Sequence, residues 1–533
     1  MANTVVLALA ALAVAYIGYW INKFITIRNF YKDKPCPPHD FLLGHAKILG
    51  EYNLKFPADT SMQSALTQMK RDFNLPDIFY LDLWPFGPEF VVFSSAEAAA
   101  IPSTTKPMEQ SPEVKKFFTG NLGSAFIEAT SGAEWKELLH MVAPPLTPSA
   151  TRAYYNTIVE EAKVFYDRMQ KLASKGESFD IMHQTGHYTF DVMSVVFFGE
   201  SERLRSQTEP CQLYNDLQRL TDVMGAVTVM LNPFAKRPLW KERDVLVARM
   251  EKDIDKILLS RVTALQQEGD LSAKTKTGSI IDRMLLNNLQ SGKPVDARLR
   301  KAILDNAKGV LAAGFGTTAD TLVWIFLLLA TYPDILARVR EEHTRIYASS
   351  FDETLSLLQS DPNRLKSLDY TTAFIHETLR LFPVGPPLRT PHPDMKSFTH
   401  NNQTYPITTH QFEILTHAIH YSESHFPNPK AVLPERHLPL SNPPYSRNAY
   451  RPFERGPRAC LGSSLAMDEM KVLLVMVARW FDFEHLVPGG EFPRDPRVEY
   501  TDLDTKLGDV VFAVQRFTTG PRGPVGMRCR VRG

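Results

Sequence analysis

Polar and apolar residues alternate mostly with helical periods along this chain, apart from one uncharged stretch at its beginning. Thr4–Ile21, TVVLALAALAVAYIGYWI, carries no charge. As a helix it spans about 27 Å, close to the ~30 Å hydrocarbon core of a bilayer. No Lys or Arg precedes it, whereas Lys23, Arg28, Lys32 and Lys34 follow. That bias directs the rest of the chain to the cytosol. The competing reading is a secretory peptide cleaved near Ala13-Val-Ala15, which the length of the run and the position of the basic residues disfavour. The pattern therefore predicts a transmembrane anchor over 1–22 and a basic, proline-rich hinge over 23–45, where Pro35, Pro37 and Pro38 end the helix. One large domain over 46–533 follows.

Within that domain, helical patterns cover about 150–200, 240–265, 297–330, 333–346, 367–382 and 463–481. Asp296 is placed to cap the third and Pro333 to stop it. That helix is about 50 Å long, and its second half is apolar on every side, which calls for burial. Charges and glycines before Thr321 argue against its being a second membrane span. Strand-like pieces are few: EFVVFSS over 89–95 and DVVFAVQRF over 509–517. The fold class is mainly α with a minor β region, and no internal repeat is present.

The 60 Lys+Arg against 59 Asp+Glu leave a formal net charge of +1, so nucleic acid is an unsuitable partner. Cys36, Cys211, Cys460 and Cys529 are far apart and form no C-x-x-C pair, which points to a reducing compartment.

Two segments break the local rules. In AAGFGTTAD, Ala312 to Asp320, two glycines and two threonines occupy a helix interior. Each glycine costs roughly 1 kcal/mol there relative to alanine, and threonine is stiff and competes for backbone carbonyls. In RPFERGPRACLGSSLAMDEM, Cys460 lies in a loop rich in glycine and arginine just ahead of a helix. The positive end of that helix favours a thiolate at Cys460, either as metal ligand or as nucleophile. Arg458 offers a planar fork of donors suited to a carboxylate.

Phe453-x-x-Gly456-x-Arg458-x-Cys460-x-Gly462 resembles the haem-binding signature of the cytochrome P450 family at every fixed position. A chance match in a chain of this length is on the order of one in several thousand. The resemblance covers essentially everything after the anchor and implies the cytochrome P450 fold preceded by one transmembrane helix. It implies haem b as cofactor, with Cys460 as the iron ligand, Phe453 shielding the sulfur and Arg458 pairing with a propionate. Other segments resemble further parts of the family. Glu377 and Arg380 in FIHETLRLFP, with Arg436 in Pro434-Glu-Arg-His437, imply a buried structural triad. SGAEWKELLHM resembles the segment whose tryptophan, here Trp135, reaches a propionate. Leu139 stands where arginine is common, so His140, Lys136 or Arg389 is expected to supply the second donor. AAGFGTT resembles the distal helix: Gly314 lets backbone approach the cofactor and opens a local kink, while Thr317 directs protons to bound oxygen. Gly316 occupies the usual place of an acidic residue, for which Asp320, one turn on, is a substitute; pairing of Asp320 with a neighbour is the other reading. Phe315, Val384, Leu388 and the Phe117-Phe118 pair are candidate pocket contacts.

The implied activity is monooxygenation: dioxygen, two electrons and two protons convert a lipophilic small molecule to its hydroxylated product and water. The implied partner is the NADPH-dependent cytochrome P450 reductase on the endoplasmic reticulum membrane; of Arg447, Arg451, Arg455 and Arg458, structural hydrogen bonding accounts for Arg458 first and the others are a candidate dock. The alternatives are a haem-thiolate isomerase, dehydratase or ring-closing enzyme, and a membrane-tethered haem sensor without turnover. The loop style is similar to filamentous-fungal members, many of which act in secondary metabolite biosynthesis.

Overall fold

The computed structural model describes residues 2–230, 232–267, 278–385, 387–438, 445–487 and 503–532, and every candidate residue named above lies within them. Helix α1, Ala2–Phe30, is exposed from Thr4 to Asn22 and has a mean hydropathy of 2.1 in its most apolar window. A helix of this length, composition and exposure suits a bilayer span. The long apolar helix Ala297–Thr331 is mostly buried in the domain, so it is a core element and not a second span.

The segment expected to hinge is docked instead. Trp20 stacks on Trp84 with centroids 6.0 Å apart, and Phe24 meets Phe41 edge-on at 5.4 Å. Arg28 is fully buried and is ion-paired with Asp82. Its Nε donates to the Phe41 carbonyl, and its Nη2 donates to those of Leu42 and Trp84, each at 2.9 Å. His39 Nε2 lies 2.8 Å from the same Asp82 carboxylate. Below the helix, the Pro35 carbonyl accepts from the Tyr80 amide at 2.9 Å, which adds the proline segment to a sheet edge. A charge with no water to solvate it cannot be pulled free without leaving another stranded, so this junction is stiff.

The principal helices that follow are α2 (Met62–Asp72), α3 (Pro112–Asn121), α4 (Gly132–Val142), α5 (Tyr155–Lys175), α6 (Ile181–Phe198), α7 (Gln212–Val229), α8 (Pro233–Gln267), α9 (Ala297–Thr331), α10 (Pro333–Ile346), α11 (Asp369–Leu381) and α12 (Ser463–Val477). The single helix expected over 150–200 is two, because Gly176 adopts φ 65° and Ser178–Asp180 forms a strand between them. Asp296 caps α9 as expected, its carboxylate accepting from the Leu299 amide at 2.8 Å. α9 crosses the domain and packs chiefly on α6.

A five-stranded sheet, order β1-β2-β5-β4-β3, is built from β1 (Ile78–Asp82), β2 (Glu89–Phe93), β3 (Glu109–Gln110), β4 (Leu388–Thr390) and β5 (Gln411–Ile414). Only the β2–β5 pairing is parallel. Of the expected C-terminal strand, Gly508–Val511 is a 3-10 turn and only Val514–Gln515 pairs, as β6, with β7 (Thr519–Gly520). Val510, Val511 and Phe512 are buried, and a short buried apolar run has the same pattern in either conformation.

Replacing Asp82 by Ala should leave Arg28 buried without its counter-charge and cost about 3–5 kcal/mol of stability. A denaturant titration of the full chain would read this as a lower midpoint; an unchanged midpoint would mean that the junction is not buried as described.

Candidate active site

The loop before α12 is shaped by backbone constraints. Cys460 N donates to the Phe453 carbonyl at 2.8 Å, and between them Glu454 and Gly456 take φ of 57° and 80°. A Cβ on Gly456 would lie 1.9 Å from the Ser103 carbonyl oxygen, so only glycine fits. Gly462 differs: a Cβ there meets nothing within 4 Å, because the residue borders open space.

That space is a cavity of about 1740 Å³, larger than the ~300–1,000 Å³ typical of clefts for one small ligand. Phe453, Arg458, Cys460 and Gly462 line it from the loop, and Ala313, Gly314 and Thr317 line it from α9. Cys460 is exposed, and the surface it exposes faces this cavity deep in the protein. Burial pushes its thiol up, while hydrogen bonds from the Gly462 and Ser463 amides act the other way and Glu128 adds to the rise. The amides at the helix start thus favour the thiolate, as expected, against the opposing effect of burial.

Among the described residues five arginines border the cavity, and three of them, Arg389, Arg451 and Arg458, lie close enough to repel one another. Arg458 Nη2 donates to Glu109 Oε2 at 3.1 Å and to the Thr130 carbonyl at 3.0 Å, and the group stacks 4.2 Å from the Trp135 ring centroid. Arg451 is buried, its Nη2 donating to Ser103 Oγ at 3.0 Å and its Nε to Glu454 Oε1 at 2.8 Å. Arg389, on β4, donates through Nη1 to Gln110 Oε1 at 2.7 Å. Burial holds the Arg389 guanidinium below its ordinary value, with Glu454 and Glu128 opposing and Arg458 and Arg451 adding to the shift. Among the described residues, Nη1 of Arg451 and Nη1 of Arg458 are buried and have no hydrogen-bond partner. Orphaned donors of this kind call for anionic acceptors. A flat group carrying two carboxylates and a metal for Cys460 fits the sulfur, the open side of Gly462 and these arginines; haem has that form.

Several expectations change at this point. Trp135 is not on the cavity wall and acts on the site through Arg458. His140 and Lys136 are exposed on α4, with His140 Nδ1 2.6 Å from the Lys136 carbonyl, so neither borders the cavity. Arg451 is a cavity residue, not part of an external dock, and Arg455 is half-buried and donates to the Tyr450 carbonyl at 2.9 Å; of the four arginines only Arg447 is fully exposed.

On α9 a Cβ at Gly314 would fall 2.5 Å from Met193 Sδ, so the methionine of α6 would have to shift to admit a larger residue; Gly314 also borders the cavity. At Gly316 nothing lies within 4 Å of an added Cβ. The helix is continuous through both glycines. Thr317 Oγ1 donates to the Ala313 carbonyl at 2.8 Å. Asp320 is buried away from the cavity wall and accepts from Thr518 Oγ1 at 2.6 Å; burial pushes its carboxyl up to about 6. It pairs with a neighbour and is not positioned as a relay. Phe315 is core, edge-on to Phe190 and Tyr214, whereas Val384, Leu388, Phe117 and Phe118 border the cavity.

Behind the loop, Glu377 is fully buried. Arg380 donates to both its oxygens at 2.8 Å, and Arg436 Nε donates to Oε1 at 3.1 Å. The Leu433 amide donates to the same oxygen at 3.0 Å, and His437 Nε2 lies 2.8 Å from Oε2. Burial alone would push the carboxyl up; Arg380 and the hydrogen bonds overcome it and hold the group well below the usual carboxylate range. The fourth partner, His437, closes the Pro434-Glu-Arg-His437 turn, and the sequence pattern of the triad does not include it. Gln110 and Met193 carry no sequence signal at all.

Glu377→Ala should strand Arg380 at a cost of about 3–5 kcal/mol and abolish haem incorporation, measured as the haem-to-protein ratio after expression. Gly456→Ala should do the same through its clash with Ser103. Full haem loading in either variant would contradict this account of the loop.

Comparison with known proteins agrees with this arrangement. The family profile described as Cytochrome P450 matches residues 50–498. Cytochrome P450 monooxygenase ptmJ of Penicillium ochrochloron is 27% identical over 474 residues, covering 89% of each chain. Cytochrome P450 monooxygenase acrF of Aspergillus aculeatus is 27% identical over 501 residues, covering 89% of this chain and 98% of its own. The crystal structure of the cytochrome P450DA heme domain superimposes with a TM-score of 0.71 at 19% identity, covering 94% of this chain and 98% of that one. With most of its length matched by the family profile and the fold shared throughout, this chain belongs to the cytochrome P450 monooxygenases, oxidoreductases whose cofactor is a thiolate-ligated haem.

Proposed function

We propose that this protein is anchored in the endoplasmic reticulum membrane by residues 1–22, with its catalytic domain, residues 46–533, in the cytosol. There it hydroxylates a lipophilic small molecule in secondary metabolism, drawing electrons from NADPH through cytochrome P450 reductase. The observation that carries this reading is that Cys460, Thr317 and two arginines with orphaned donors border one cavity. The Penicillium and Aspergillus relatives support the metabolic setting.

Bound haem supplies the redox centre at which one atom of dioxygen enters the substrate and the other leaves as water. The chain's own residues prepare that centre. Cys460 holds the iron, and the amides of Gly462 and Ser463 stabilise the charge on its sulfur. Arg458 and Arg451 take the propionates, Trp135 keeps the Arg458 plane in position, and Arg389, held by Gln110, adds positive potential. Phe453 excludes water from the sulfur. The Thr317 hydroxyl borders the cavity with its own proton engaged by the Ala313 carbonyl, which leaves its oxygen free to hold a water that carries protons inward.

A second reading, a haem-thiolate isomerase or dehydratase, is favoured by one observation: Gly316 has no acid and Asp320 is turned toward Thr518. Such a reaction needs no proton delivery.

The reduced, carbon monoxide-bound holoenzyme should show the absorption of a thiolate-ligated haem; an imidazole-type spectrum would sink the assignment of Cys460. Thr317→Ala should divert NADPH electrons to peroxide and lower coupling severalfold, whereas Gly316→Asp, which has free space for its side chain, should keep or raise coupling. Product formed without NADPH consumption, and with no labelled oxygen from dioxygen in it, would favour the second reading.

A further inference from the structure

Strand β5 contains a residue that its setting does not call for. Phe412 and Ile414 alternate onto one face of the sheet and join the smaller apolar core with Phe93 and Phe398. The other face belongs to Glu413, which pairs in register with Val92 on one side and Leu388 on the other. Val92 lies in the main apolar core and Leu388 packs against it, so the pattern requires an apolar side chain here, yet the residue is a fully buried glutamate. One oxygen, Oε1, accepts from Gln63 Nε2 at 3.1 Å. The other, Oε2, is buried and has no hydrogen-bond partner among the described residues. Among the described residues no arginine, lysine or histidine is ion-paired with it, and burial pushes its carboxyl up to about 7. A lone carboxyl in such a place costs stability and persists where something else uses it.

Glu413 lies on the wall of the same cavity as Cys460, as do Ser61, Gln63, Thr416 and Gln515. These polar groups are linked: Ser61 Oγ contacts Gln515 Oε1 at 3.4 Å, and Gln63 Oε1 accepts from the His417 amide at 3.1 Å. The chamber thus has, besides the arginines near the cysteine, a polar patch supplied by β5, the start of α2 and β6. Gln63 is engaged by Glu413, Ile414 and His417, and Glu413 Oε2 is left without a donor; among the described residues Glu454 Oε2 and Glu469 Oε2, elsewhere on the wall, are also buried without one.

We propose that Glu413 is a specificity-determining residue that binds an alcohol hydroxyl on the substrate, so that the enzyme acts on a lipophile already hydroxylated at a position remote from the one it oxidises. This rests on the haem-thiolate reading, because it needs an iron centre elsewhere in the same cavity. The hydroxyl donates to Oε2 and meets, in the Thr416 side chain, a second polar group on the wall. A reaction that installs an oxygen on the precursor must therefore come before this one.

The test uses the haem-loaded full chain and two series of 1-alkylimidazoles of graded tail length, one ending in a hydroxyl and the other in its methyl ether. The imidazole ligates iron and shifts the haem spectrum whatever the tail does, so every compound has a readout. At one tail length the hydroxyl should bind about tenfold more tightly than the ether; Glu413→Leu should erase that difference, and Glu413→Gln should keep part of it. Glu413→Leu should also melt at the same or a higher temperature than the parent. Equal binding of the two series at every length, an undiminished preference in Glu413→Leu, or loss of haem with a lowered melting temperature in both variants would overturn the proposal. The absence of any spectral shift with any imidazole would instead overturn the haem-thiolate reading.

Discussion

The geometry of the site depends on one buried carboxylate. Glu377 has no water around it and is held by Arg380, Arg436, His437 and the Leu433 amide, which come from α11 and from the chain that leads into the cysteine loop. Arg380 in turn donates to the carbonyls of His420 and Ala431. A single acid thus ties together three stretches of backbone that are far apart in sequence. Each bond is individually modest, but in a dry interior the partners cannot be exchanged for solvent, so the set is kept or lost together. The loop that carries Cys460 hangs from this anchorage, and the contact of Gly456 with Ser103 fixes its height above the cavity.

The electrostatics of the cavity follow from that placement. Arg389, Arg451 and Arg458 are brought to one border against their mutual repulsion, moderated by Glu109, Glu128 and Glu454. The acids do not neutralise the patch, because two guanidinium nitrogens remain without acceptors. The same cavity also leaves Glu413 Oε2 without a donor. Among the described residues one chamber thus carries unmet donors on Arg451 and Arg458 and unmet acceptors on Glu413, Glu454 and Glu469.

Much of the fold was legible from periodicity and breakers. α9, α10 and α11 run close to their predicted bounds because Asp296 and Pro333 are strong local signals and because the apolar stripes are long. The split at Gly176 had a local signal, a glycine in an exposed polar stretch, whereas the 3-10 turn at Gly508–Val511 was not legible, since a buried apolar run is compatible with several backbones. The docked junction after α1 was also hidden: a proline cluster resembles a hinge until Arg28 and Asp82, more than fifty residues apart, are found to be partners.

For the site, the residue types and spacing around Cys460 determined which chemistry the chain can carry, because a short loop with glycines at required positions and a helix behind it has few other uses. The tertiary structure alone decided which residues share the cavity. It put Arg451 inside and His140 outside, set Gly314 against Met193, and turned Asp320 toward Thr518. It also placed Glu413 on the wall of the chamber. The physical reason is the same in each case. Local pattern specifies how a segment folds and which face it buries, whereas the partner that a buried polar group finds comes from a distant segment and is set only when the layers have packed.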